Sequence, residues 1–327
     1  MTGRATFYSE QAANRRDSVL LVVVVAVILG ALGFAIGYGT SGAVESGIAV
    51  TTGALVLALF LSVGSYFGGD ALVLGTSGAK EVDATSAPQL MNIVQEMTIA
   101  AGVPMPKVYV IDDTAPNAFA TGRDPKHASI AVTTGILQKL DREELQGVLG
   151  HELSHVRNYD IRFSLLVAVL VGSIALLADF FLRFTFWGGG GRRSSNDREG
   201  GGGLQVLVFV FAIVLAVLAP IFARLVQLAV SRQREYLADA SSVELTRNPT
   251  GLERALAKIA SDKDVLEVAN RATQHLYFTN PIKKFEARSG SMFSTHPPIV
   301  DRINRLRQLT GEAPMDAAEF NSLRGLD

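Results

Sequence analysis

The chain has no cysteine. That excludes disulfides, thiolate nucleophiles, iron–sulfur clusters and cysteine-type zinc sites, and it leaves the redox compartment open. Histidine is scarce as well, with five in 327 residues: His127, His151, His155, His275 and His296. Any bound metal must be held by these or by Asp and Glu. Charged residues make up 19% of the chain, against about 25% in an average soluble protein. They are balanced, 30 Lys plus Arg against 31 Asp plus Glu, so there is no global basic field of the kind that holds nucleic acid.

Apolar residues, at 48%, are abundant and gathered into blocks. The first, Val19 to Gly39, carries no charge and at about 1.5 Å per residue is long enough to cross a bilayer. It exceeds the h-region of a signal peptide and no clear A-x-A site closes it. A second uncharged block, Ile48 to Phe67, follows a connection carrying only Glu45, which reads as a transmembrane hairpin. A third runs from Phe163 to Leu182 with Asp179 near its far end. A fourth runs from Leu204 to Val230, with Pro220 a candidate kink and Arg224 placed to snorkel. Between these two lies a Gly-rich segment, 188–203, of flexible-linker composition.

The resulting plan is a tail and hairpin over 1–67, one soluble half over 68–160, a transmembrane pair over 161–230 and a second soluble half over 231–327. The two halves together make one core that neither builds alone. Four spans put both halves on the side of the N-terminus. Arg4, Arg15 and Arg16 precede the first span and the first connection has no Lys or Arg, which favours the cytoplasm; Arg183, Arg192, Arg193 and Arg198 between the last two spans argue the other way. The first helix usually dominates, so the soluble halves are expected in the cytoplasm, under a multi-pass cell (inner) membrane protein.

Within the first half, Lys107 to Ile111 and Ser129 to Thr133 read as strands, rich in β-branched residues. Asp141 and Glu144 form a capping-box pattern that opens a helix, and Leu145, Val148, Leu149 and Val156 carry its period to about Asn158. On it lies His151-Glu152-Leu153-Ser154-His155, an HExxH motif. The i, i+4 spacing puts both imidazoles on one face, where each can offer a ring nitrogen to one zinc ion. Glu152 is placed to act as general base on a water at that ion and then as proton donor to a leaving amine.

Two histidines leave a catalytic zinc one protein ligand short. The continuation HExxHxxGxxH is absent, since Asn158 and Ile161 stand where its Gly and His would be. Glu235, in Arg234-Glu235-Tyr236-Leu237-Ala238-Asp239, is the candidate, with Asp239 on the same helical face where it could accept the second ring N–H of a ligating His. From spacing alone the pair is either a ligand with its support or a charged helix surface.

HELSH, a membrane pair and then EYLADA resemble the HtpX-type membrane metallopeptidases, in the gluzincin group shared with the type-I CAAX prenyl endopeptidases. The resemblance covers nearly the whole chain, including Thr6-Phe7-Tyr8 before Arg15-Arg16, Asn117 to Gly122, and Ser294-Thr295-His296-Pro297-Pro298. It implies zinc bound by His151, His155 and Glu235, catalysis by Glu152 and support from Asp239. It also implies a mainly α gluzincin domain with a small β-sheet and quality control of damaged membrane proteins under stress. The HExxH helix ends a few residues before the third block and Glu235 follows a few residues after the fourth, which puts the zinc near the membrane surface and points to protein or peptide substrates presented there. The Gly-rich segment is outside the family signature.

The segments Asn117 to Gly122 and Ala128 to Thr134 are candidates for a substrate cleft, with Ser129, Ile130, Ala131 and Val132 as the strand that an extended peptide joins. His296 is either near the zinc, as an oxyanion or regulatory group, or a helix-start residue; His275 and His127 are weaker candidates. Lys283, Lys284, Arg302, Arg305 and Arg307 read as solvated surface.

Overall fold

The computed structural model describes residues 7–187, 202–262, 264, 297–316, 318–319 and 322. The Gly-rich segment up to residue 201, His275, Lys283, Lys284 and His296 lie outside the described residues. The protein is mostly helical with one small mixed sheet. It divides into two units, one of residues 12–66 with 164–229 and one of residues 67–163 with 230–327 and the first 11.

The first unit is built of long apolar helices: most of α1 (Phe7–Ser41) and α2 (Val44–Thr76), with the apolar parts of α6 (Asp160–Trp187) and α7 (Gly202–Thr246). Small residues let them approach. A Cβ on Gly37 would stand 2.3 Å from the Ser46 carbonyl oxygen, and one on Gly39 would stand 2.8 Å from Cα of Phe209. Thr51 Oγ1 donates across the hairpin to the Gly30 carbonyl at 3.1 Å. Val56, Leu59 and Phe60 face outward, as lipid-facing side chains do. Among the described residues three segments are long and apolar enough to cross a membrane: Val22–Ser41, Val44–Thr76 and Gly203–Ala223. The block expected as the third span lies in α6, which is not one of the three.

The helix expected to end near Phe67 continues to Thr76. The reason is packing in the second unit: Val73 and Leu74 bury against Ile111, Phe119 and Ala131 of the sheet, so the tail of α2 covers one sheet face. The sheet has four strands, β1 (Lys80–Val82), β2 (Lys107–Ile111), β3 (Ala118–Gly122) and β4 (Ala128–Thr133), in the order β1-β2-β4-β3. β2 and β4 stand where their β-branched residues placed them. They run parallel, in register Val108 with Ile130, while β1 on β2 and β3 on β4 are antiparallel. β3 reads Ala-Phe-Ala-Thr-Gly, weak strand propensity that hairpin pairing overrides. Gly122 closes that hairpin at φ +129°, with His127 carbonyl oxygen only 2.2 Å from where a Cβ would be.

The other sheet face and helices α3 (Pro88–Ala101), α8 (Pro249–Ser261) and α9 (Ile299–Thr310) surround α5 (Arg142–Arg157); α4 (Thr134–Lys139) leads into it. Both halves of the capping box form: Glu144 N–H donates to Asp141 Oδ1 at 3.0 Å, and Asp141 N–H donates to Glu144 Oε2 at 2.8 Å. Val148, Leu149, Leu153 and Val156 are fully buried, so α5 is a core helix, and Glu144, His151, Glu152 and Ser154 are held inside with them. Gly147 lets α8 approach to contact at Leu252, and Ser242 Oγ of α7 donates to the Gly147 carbonyl at 2.6 Å. That bond fixes α7 against α5 one turn from Asp239.

Candidate metal centre

His151 and His155 project from one face of α5 with their Nε2 atoms 3.1 Å apart. Glu235 of α7 faces both, with Oε2 3.7 Å from His151 Nε2 and Oε1 3.5 Å from His155 Nε2. Two nitrogen lone pairs do not face each other this closely unless a cation or a proton lies between them. A tetrahedral ion at about 2.0–2.1 Å from each donor separates its ligand atoms by about 3.3 Å. The three observed distances bracket that value, so the donor set fits such an ion without rearrangement. It is the one group of three or more such ligands found among the described residues.

Each imidazole is held from behind by a carboxylate on its Nδ1. Asp239 Oδ1 is 2.9 Å from His151 Nδ1, and Asp160 Oδ2 is 3.1 Å from His155 Nδ1. Taken as Nδ1–H donors, both rings present a bare Nε2 to the centre, the tautomer a metal requires. Each carboxylate is in turn met by a buried arginine. Arg302 of α9 donates from Nε and Nη2 to the two oxygens of Asp239 at 2.9 and 2.7 Å, and its Nη1 lies 3.7 Å from Glu235 Oε2. Arg234 Nη1 lies 3.3 Å from Asp160 Oδ1. Arg302 therefore does not belong to the solvated surface expected from sequence: it is 0% exposed, on the inner side of an amphipathic helix. Arg305 packs over the Tyr236 ring at 3.6 Å, and Arg307 bridges Glu253 and Glu319.

Electrostatics follow from this burial. Burial pulls His151 down to about 4, against the opposing hydrogen bond to Asp239. For His155 burial is outweighed by Asp160 and Glu235, which push it up to about 10. Asp239 is held below the ordinary carboxylate range because Arg302 and His151 overcome its burial. Glu152 is buried on the same helix turn.

A model of peptidase family M48 matches residues 84–310, which includes His151, Glu152, His155, Asp160, Arg234, Glu235, Asp239 and Arg302. The chain belongs to peptidase family M48. Relatives of this M48 peptidase named Protease HtpX homolog share 45% identity in Streptococcus mutans and 46% in Streptococcus agalactiae, over 92% of this chain and 99% of each relative. The crystal structure of S. mikatae Ste24p aligns with a TM-score of 0.49 at 18% identity, covering 77% of this chain and 58% of that one.

The strand expected to receive substrate is not available for that role in this M48 peptidase. Ser129, Ile130, Ala131 and Val132 lie in β4, which is paired on one side with β2 and on the other with β3. Its backbone groups are committed to those ladders. The outer strand on that side is β3, which packs on α5 and is itself buried along its length. His127 is exposed, 2.9 Å from Asp124 in the β3–β4 turn, and takes no part in the centre. Sequence reasoning missed Asp160, Arg234 and Arg302. Asp160 had a signal: it is an acid just beyond the HExxH helix, in the first turn of the next one.

Proposed function

We propose that this chain is a zinc-dependent membrane endopeptidase that cleaves misfolded or damaged membrane proteins in stress-linked quality control. The observation that carries the reading is the set of Nε2 and carboxylate distances of 3.1, 3.5 and 3.7 Å, with Glu152 buried beside it. His151, His155 and Glu235 hold the ion, and Asp239 orients His151. Bound there, zinc supplies Lewis-acid polarisation of the scissile carbonyl and a more acidic water. The Glu152 carboxylate accepts a proton from the attacking water and passes it to the departing amide nitrogen. Arg302 leaves Asp239 and Glu235 charge-compensated without adding an acid that competes for that proton.

Main-chain pairing of an extended substrate with a strand edge gives affinity with little sequence preference, which suits a broad substrate range. All four apolar blocks cross the bilayer in this reading, with α6 as the third span and the peptidase halves in the cytoplasm, following the arginines of the N-terminal tail. A processing enzyme with one dominant substrate is the competing reading.

The test uses wild type and Glu152→Gln, purified in detergent with a chelator, then given zinc and an unfolded protein such as casein. Cleavage by wild type alone, with about one zinc per chain in both proteins, supports the peptidase. Equal cleavage by both sinks it. A comparison of the membrane proteome with and without the active enzyme then separates many substrates from one.

A further inference from the structure

Asp160 sits at an unusual place in the chain. α5 ends at Arg157, α6 begins at Asp160, and between them Tyr159 takes φ +60°, the left-handed region that a bulky side chain rarely adopts. Tyr159 is itself half exposed, at 49%. What the turn achieves is the placement of the next residue. Asp160 is 4% exposed, and its Oδ2 reaches back to His155 Nδ1 at 3.1 Å. An acid opening a helix for its dipole alone would face solvent; this one faces a histidine.

The opposite oxygen of the same carboxylate, Oδ1, meets Nη1 of Arg234 at 3.3 Å. Arg234 is 5% exposed, and its guanidinium lies 3.5 Å over the Phe163 ring, so the aromatic face and the carboxylate together fix its plane. Two charges have been taken out of water here, and a buried ion pair seldom repays that cost in stability. The arrangement has another use. With Nδ1 held by a carboxylate, Nε2 is the nitrogen that His155 offers to a metal, and it points at His151 Nε2 and Glu235 Oε1, 3.1 and 3.5 Å away.

We infer that Asp160, braced by Arg234 and delivered by the strained Tyr159 turn, is the positioning residue for His155: it sets the ring's tautomer and plane for a divalent metal, as Asp239 does for His151. The inference rests on the metal-centre reading above and extends it to residues outside the HExxH and EYLAD segments. His155 is thereby tied to α6 and α7, while His151 is tied to α7 and α9.

The experiment is a zinc titration of the full-length chain in detergent, stripped of metal and competed against a chromogenic chelator, with cobalt(II) absorption as a second readout of ligand geometry. Asp160→Asn keeps the shape and removes the charge. It is expected to weaken zinc binding 10- to 100-fold and to alter the cobalt spectrum; because it strands the Arg234 charge it also lowers the melting temperature of the metal-free protein, so binding is read at a temperature where both proteins are folded. Arg234→Gln, which leaves Asp160 in place but unbraced, is expected to move both readouts the same way by a smaller amount, and it serves if Asp160→Asn does not fold. Zinc binding within twofold of wild type and an unchanged cobalt spectrum in both variants would overturn the inference, provided Glu235→Ala has lost the metal. If Glu235→Ala binds zinc as wild type does, the metal centre itself is misread and this inference falls with it.

Discussion

Replacing Arg302 by Leu tests how much of the centre depends on one buried cation. The side chain is fully buried, and its fork donates to both oxygens of Asp239 at 2.9 and 2.7 Å. Leucine removes those donors and leaves Asp239, itself 4% exposed, as a buried carboxylate with His151 as its remaining close partner. Breaking a buried pair in this way costs about 3–5 kcal/mol. At about 1.4 kcal/mol per factor of ten, that is roughly a hundred- to several-thousandfold in the local opening equilibrium. A two-unit chain has no single unfolding free energy, so the measurement is amide hydrogen exchange of the full-length protein, read at α9 and at the α5 and α7 segments around the site. Arg302→Lys restores a point charge without the fork and should recover part of the loss. Asp239→Leu combined with Arg302→Leu removes both charges and should be less destabilised than Arg302→Leu alone. Protection within threefold of wild type in the single Leu variant would refute the reasoning. A double variant as damaged as the single one would show that packing of the arginine stem, not charge, was at stake.

Three further outcomes are expected. Glu152→Gln should keep zinc and lose about 10²- to 10⁴-fold in casein cleavage, the range of a general base, measured as initial rate at matched zinc content. Zinc affinity should rise with pH: in the metal-free protein His155, pushed up to about 10, carries a proton that binding must expel, whereas His151, pulled down to about 4, carries none near neutrality. The apparent affinity should therefore climb about tenfold per unit between pH 6 and 8, and a flat profile in the chelator competition would contradict that assignment. Gly37→Leu should disrupt the α1–α2 hairpin, because even a Cβ would come within 2.3 Å of the Ser46 carbonyl oxygen, whereas Gly53→Leu, with nothing near it, should not; thermal aggregation in detergent compares the two.

The sequence disclosed the parts of the site that have a local pattern. The HExxH spacing, the capping box at Asp141 and the i, i+4 relation of Glu235 and Asp239 are all properties of single helices. β2 and β4 were legible from β-branched runs, and the apolar blocks from their length. The parts that were not legible depend on tertiary placement. Arg302 lies in a helix whose periodicity says only that one face is buried, and nothing local says which residue on that face meets Asp239. Asp160 is useful only because a single left-handed residue turns the chain. β4 was taken for the receiving strand because propensity marks strands without ordering them; the order β1-β2-β4-β3 is set by which segment of the chain returns to pair. The end of α2 was misjudged at Gly68-Gly69-Asp70, where burial of Val73 and Leu74 outweighs the helix-weakening residues.

The two histidines of the centre are braced by Asp160, Arg234, Asp239 and Arg302, drawn from three helices that all follow α5. A ribosome makes these in order, and the last of them comes long after the HExxH motif has left the tunnel. A nascent chain that already carries both histidines and Glu152 still lacks the arginine that secures Asp239. The full set of braces around the two histidines is thus present only when synthesis has passed residue 302, so the supports of the candidate centre are assembled well after the helix that carries its histidines.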